Sequence, residues 1–224
     1  MEKSDIKIRQ RFDGLDTPAL CDASPLVRAM APGLVAACPS LKMVGRAYTV
    51  QCTNDYLSVI NALSEASEGD VLVVDGGRQS QAVFGELLAA EAKRRGLAGA
   101  VIDGAIHHVS GIREVCFPVY YRWTNPRAGR AAVVEPRPSV VSVSGVTVVK
   151  GDWIFGDADG VVVIPPTQIE EILAVAEEIK KVDAKVFENV QNGAALNQIM
   201  KFESFRRDHD REIREKIDAE LKTS

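Results

Sequence analysis

The hydrophobic pattern of this chain changes period several times, and each change predicts an element. Val44, Tyr48 and Val50 keep one phase within KMVGRAYTVQC, the two-residue period of a strand over 42–52. Tyr56, Leu57, Ile60 and Leu63 then fall at helical spacing, which predicts a helix over 55–66 with those four on its buried face. Val71-Leu72-Val73-Val74 is apolar at every position, as in a strand covered on both sides. Residues 81–95 read as the next helix, with Val83, Phe84, Leu87 and Leu88 as its buried stripe. Arg94 and Arg95 occupy its last turn and Gly96 stops it. AGAVI (98–102) predicts a second buried strand, 109–115 a short helix, and FPVYYR (117–122) a third strand.

The flanking regions carry different signals. Residues 16–31 read as a helical opening, with Asp16 and Thr17 as candidate caps and Pro18 in the first turn. After Arg122 the chain is strand-rich up to Pro165, with several strands separated by Gly-Asp turns. Ile169, Ile172, Leu173, Ala176 and Ile179 mark an amphipathic helix. From Lys201 onward the chain carries seven basic and seven acidic residues. Asp210/Arg214, Glu212/Lys216 and Asp218/Lys222 are spaced four apart, which predicts a solvated helix. Strand–helix alternation followed by a strand-rich third disfavours a plain dinucleotide-binding fold. It fits a layered α/β domain with a mixed sheet, spanning 1–187, with a helical tail over 188–224.

A net charge of −4 offers no broad basic surface, so neither nucleic acid nor anionic membrane is an expected partner. The charged opening MEKSDIKIRQ lacks the apolar stretch of a signal peptide. Cys21, Cys38, Cys52 and Cys116 match no CxxC spacing. Free thiols and a cytoplasmic location are therefore expected.

Chemistry concentrates at two turns. His107 and His108 follow the strand AGAVI and the turn DGA, at the kind of strand end where α/β proteins place ligands. The alternative is a loop pair that caps local backbone groups. Neighbours on an extended chain point opposite ways, so one imidazole of the two is expected to face a site. The second turn is Gly76-Gly77-Arg78, leading towards Gly85-Glu86-Leu87-Leu88. Free N–H groups at a helix start favour an anion. A glycine inside a helix marks close approach, either by a ligand or by another chain segment. Arg78, Arg122 and Arg127 are the nearest cations able to clamp a carboxylate. Asp157 and Asp159 in GDADG suit a tight turn better than a calcium loop.

GDVLVVDGG, GELLAAEAKRRGLAGAVIDGA, IREVCFPVYYR and GDADGVVVIP, in that order and spacing, resemble the RraA-like family from about Asp16 to about Leu173. That family includes aldolases acting on 4-hydroxy-4-methyl-2-oxoglutarate and 4-carboxy-4-hydroxy-2-oxoadipate, which also decarboxylate oxaloacetate, and a non-catalytic ribonuclease regulator. The resemblance implies a layered α/β fold, a homotrimer or a hexamer formed as a dimer of trimers, and sites at subunit interfaces. It also implies a small oxo-acid substrate held by backbone N–H groups of the GELL segment, here Gly85, Glu86, Leu87 and Leu88.

The signature turn departs from the aldolase pattern. His107 stands where an arginine that holds the substrate carboxylate is expected. His108 stands where a metal-ligating aspartate is expected, and Gly111 where an acidic residue is expected. By resemblance the metal is Mg²⁺ or Mn²⁺. An imidazole at 108 moves the expected preference towards Zn²⁺ or Mn²⁺. Three readings follow. In a pyruvate-yielding lyase, His108 is metal ligand or general base and His107 an electrostatic stabiliser. The others are a non-catalytic regulatory protein, and an enzyme of changed chemistry in which the histidine pair moves protons.

Overall fold

The computed structural model describes residues 3–135 and 138–201. Its element order is α1 (Lys3–Arg11), α2 (Thr17–Ala23), β1 (Arg28–Ala29), β2 (Val35–Ala36), β3 (Met43–Gln51), α3 (Leu57–Glu65), β4 (Val71–Asp75) and β5 (Ala82–Phe84). Then come α4 (Glu86–Arg94), β6 (Gly99–Ile106), α5 (Val109–Val115), β7 (Val119–Thr124), β8 (Val140–Val143), β9 (Val146–Val149), β10 (Trp153–Gly156), β11 (Val161–Ile164), α6 (Ile169–Gln191) and α7 (Leu196–Ile199). Among the described residues no helix is long and apolar enough to cross a membrane.

The strands form one mixed sheet in the order β1-β11-β10-β3-β4-β6-β7-β2, with β5 added beside β6 and β8-β9 standing apart as a hairpin. The β3-β4-β6-β7 centre is parallel and the edges are antiparallel. The apolar run of β4 explains its central place. Leu72 and Val74 pack with Val59, Leu63, Ala89, Ile102 and Ile112 on the helix-covered face. Val71 and Val73 pack with Val141, Val148, Ile154 and Val163 on the hairpin face. The two-residue period thus splits one strand between two cores, each fully buried side chain stabilising by about 1.5–3 kcal/mol. A third cluster joins Phe12, Leu20, Trp153, Phe155, Ile172 and Leu173. The layered mixed α/β architecture is as the pattern predicts.

Several local expectations need correction. The helical opening stops at Ala23, because Pro25 follows and β1 pairs with β11; the Asp16 cap is real, its carboxylate accepting from Ala19 N at 3.0 Å. In α3 the buried face is Ser58, Val59, Ala62 and Leu63, while Ile60 is exposed. Most consequentially, 81–95 is not one helix. Val83 and Phe84 belong to β5, which pairs in parallel with β6, and α4 starts only at Glu86. Gly85 is therefore the residue preceding α4 in extended backbone, with Ala89 and Ala92 on the buried face and Leu87 exposed.

The chain divides into two compact units between Glu177 and Glu178, where the pattern places the division at 187/188. The second unit contains α7 and exposed Val182, Phe187 and Met200. The charge pairs expected at 210/214, 212/216 and 218/222 lie outside the described residues.

Candidate functional site

One short ladder brings the two sequence segments together. Ala82 pairs with Ala105 and Phe84 with Ile106, and His107 N donates to Phe84 O at 3.1 Å. Gly85 and His107, the next residues of the two strands, are thereby neighbours. β6 reaches this point through a register shift between Ile102 and Ala105. There Gly76 lies so close that a Cβ on it would come within 2.9 Å of Asp103 O.

The helices that leave this ladder start side by side. At α4, Glu86, Leu87 and Leu88 supply first-turn N–H groups that an intrahelical ladder cannot satisfy. Gly85 leaves room for an imidazole: a Cβ built there would stand 2.5 Å from His107 Cδ2 and 2.6 Å from Nε2. The Nε2 edge of His107 therefore lies against the start of α4.

His108 precedes α5 in the left-handed region, with φ 51° and ψ 43°, and its carbonyl accepts from Ile112 N at 3.0 Å. That conformation, costly for a side chain other than glycine, reverses the usual alternation. The rings of His107 and His108 stack at 4.2 Å between centroids and 7° between planes, so both face one pocket. This corrects the expectation that only one of them would. Burial, with His108 alongside, pushes the His107 pKa below its ordinary value against a raising influence from Glu86.

Glu86 supplies a side chain the sequence reading valued only for its amide. Its Oε1 lies 3.6 Å from His108 Nδ1. Its carboxylate occupies the space beside Gly111 that any Cβ there would need. An acidic group thus stands over the position where Gly111 lacks one, arriving from the facing helix. An N-terminal acidic position on α4 also suits the helix dipole.

The pocket has a volume of about 350 Å³. Gly85, Glu86, Leu87, Leu88, His107 and His108 all line it, with Tyr56, Ile60 and Ala128 as walls that the sequence reading did not assign. Arg78, Arg122 and Arg127 do not line it. Arg122 is tied to Asp103 and donates to Ser144 Oγ at 2.9 Å, while Arg78 and Arg127 are exposed. Asp157 accepts from Thr17 N at 2.7 Å and from Asp159 N at 3.0 Å, as a structural turn does.

The donor chemistry bears on a metal. Among the described residues no cluster of three or more His, Cys, Asp or Glu side chains is placed to hold an ion. Glu86 and His108 make a two-donor, mixed oxygen and nitrogen set. That fits a divalent cation completed by substrate and water oxygens, not an all-protein structural site.

Comparisons with known proteins identify the family and the fold. The RraA-like family, described as Aldolase/RraA, matches residues 17–163. A Halalkalibacterium halodurans protein provisionally named 4-hydroxy-4-methyl-2-oxoglutarate aldolase is 34% identical over 180 residues, covering 80% of this chain and 86% of the relative. The RNA-processing inhibitor RraA of Thermus thermophilus superposes with a TM-score of 0.63 at 28% identity, covering 67% of this chain and 92% of that one. RraAS2 of Streptomyces coelicolor, titled an unusual member of the RNase ES inhibitor RraA family, gives 0.71 at 25% identity over 87% of this chain and all of the other. With the GELL segment and the DGAIHH corner meeting in the fold these proteins share, the chain belongs to the RraA-like family.

Proposed function

We propose that this chain is a lyase that cleaves a 2-oxo acid to release pyruvate, by retro-aldol cleavage or decarboxylation. One observation carries the reading: the Nε2 edge of His107 lies against the residue from which α4 opens its free amides. A group that moves protons and a group that holds anions thus share one small pocket. The names of the aldolase relatives support the same class.

The Leu87 and Leu88 amides hold the substrate carboxylate at the helix start. His107 takes the proton of the 4-hydroxyl group as the C3–C4 bond breaks, the new carbonyl leaves, and the remaining enolate takes a proton to become pyruvate. The stacked His108 ring holds His107 in place, and Gly85 allows the approach. Glu86 and His108 are the side chains that would hold a divalent cation, Mn²⁺ or Zn²⁺ in preference to Mg²⁺ on their donor types. Bound there, the cation would polarise the substrate's oxo oxygen as a Lewis acid.

A non-catalytic role is the second reading. It is favoured by the altered turn at His107, His108 and Gly111 and by the titles of two structural relatives, one an RNA-processing inhibitor and the other a member of an RNase ES inhibitor family. A third is proton chemistry by the histidine pair on another substrate. The test is pyruvate release from oxaloacetate and from 4-hydroxy-2-oxo acids with added Mg²⁺, Mn²⁺ or Zn²⁺. Release that disappears in His107→Ala supports the lyase. No release with any metal rejects it. The family's trimeric or hexameric assembly is likewise a proposal for this chain, checked by light scattering.

A further inference from the structure

We propose that Cys38 and Cys116 are a site of reversible oxidation, joined as a disulfide by hydrogen peroxide, which fastens the end of α5 to the loop that follows β2. Two contacts bring these distant residues together. β2 and β7 pair with Val35 opposite Tyr121 and Ala36 opposite Tyr120, and Ala37 N donates to Val119 O at 2.8 Å. The next residue, Cys38, is thereby delivered to the stretch that follows Cys116. From the other side, Arg113 Nε donates to Ala37 O at 3.0 Å. Arg113 lies in the last turn of α5, and Cys116 Sγ donates back to its carbonyl at 3.3 Å. One residue thus holds the backbone beside Cys38 with its side chain and the Cys116 thiol with its carbonyl.

The two thiols differ as the attacking and resolving members of a couple do. Cys116 is exposed, whereas Cys38 is half-buried against the core of the helix-covered face. Cys116 ends α5 in the left-handed region, at φ 52° and ψ 54°, where helices usually place a glycine. Burial raises the Cys38 pKa, and the neighbouring Cys116 raises it further, against Arg113. Such an influence falls off with distance, so it accords with the contacts that bracket the pair. Cys21 packs in a different cluster, and Cys52 is fully buried. In the first step the Cys116 thiolate attacks the peroxide; an S–O bond forms, the O–O bond breaks and water leaves after taking a proton. The Cys38 thiolate then attacks the sulfenic sulfur; the S–S bond forms and a second water leaves. Two thiols and one peroxide give one disulfide and two waters, and an added dithiol reverses the reaction by exchange.

The test treats the folded full chain with a small excess of hydrogen peroxide, blocks the remaining thiols and digests with trypsin in the absence of reductant. The expected product joins peptide 29–42 to peptide 114–122, two hydrogens lighter than the separate pair, in a chain that still migrates as a monomer on a non-reducing gel. Dithiothreitol should release both peptides. The bridge closes a loop of about 80 residues and restricts the unfolded chain, so the urea midpoint is expected to rise by about 1–2 M. Cys38→Ser and Cys116→Ser should each abolish that rise, and Cys21→Ser should keep it. Four results on the unaltered protein overturn the proposal: both thiols left reduced, Cys116 oxidised to an acid while Cys38 stays free, two chains joined through Cys116, or a link that forms only in urea. A link that fails to raise the midpoint also overturns it, since thiols that meet only in a distorted fold would give that result.

Discussion

Replacing Gly85 by alanine tests the packing on which the site depends. The backbone there, at φ −164° and ψ −170°, is extended, so alanine brings no torsional strain. The whole effect is steric. The new methyl group would stand 2.5 Å from His107 Cδ2 and 2.6 Å from Nε2, so the ring must retreat by about 1 Å to regain ordinary contact. Overpacking of this kind costs about 1–3 kcal/mol, offset by roughly 0.4–1 kcal/mol from the less flexible unfolded chain. A net loss of about 1–2 kcal/mol is expected in urea unfolding. A displacement of about 1 Å in a group that moves a proton lowers turnover by about a hundredfold. The double variant Gly85→Ala, His107→Ala isolates the cause, since removing the ring removes the clash. The stability loss from Gly85→Ala should then nearly vanish. A loss just as large without the ring, or a single variant with turnover within threefold of the parent, would refute the reasoning.

Three further outcomes follow from the same structure. Arg122→Met leaves the buried Asp103 carboxylate with its Ser144 amide but no cation, so a loss of about 3–5 kcal/mol is expected in denaturant unfolding. Burial pushes the Cys52 thiol up to about 12, which keeps it protonated at neutral pH; maleimide at pH 7.5 should modify exposed Cys116 and leave Cys52 untouched in the folded protein, as peptide mass analysis would read. Titration of the metal-free chain should give tighter binding of Zn²⁺ or Mn²⁺ than of Mg²⁺, with Glu86→Gln weakening it about tenfold or more; tighter Mg²⁺ binding would count against the Glu86–His108 donor pair.

The legible parts of the chain are those decided over a few residues. An all-apolar run placed β4 at the centre of the sheet, and Asp16 before Thr17-Pro18 marked a helix start that its cap confirms. The bounds of α5 and the glycine stop after α4 were also readable, because capping and turn preferences act locally. Resemblance across GDVLVVDGG, GELLAAEAKRRGLAGAVIDGA, IREVCFPVYYR and GDADGVVVIP identified the family, since order and spacing survive in the linear chain.

What failed was decided by contacts between distant segments. Val83 and Phe84 fit the spacing of a helix with Leu87 and Leu88. They become strand because β6 offers a free parallel edge, and three buried residues are too few to announce themselves. The histidine pair was expected to diverge because alternation assumes extended backbone. The left-handed turn at His108, where α5 begins, stacks the rings instead. Nor does any local signal in the chain say that Glu86 fills the space Gly111 leaves open. Sequence by itself determined the layers, the family and the segments that carry chemistry, through short-range propensity and periodic burial. Only the tertiary structure decided which atoms of those segments meet, because that depends on strand pairing and on van der Waals exclusion between residues far apart in the chain.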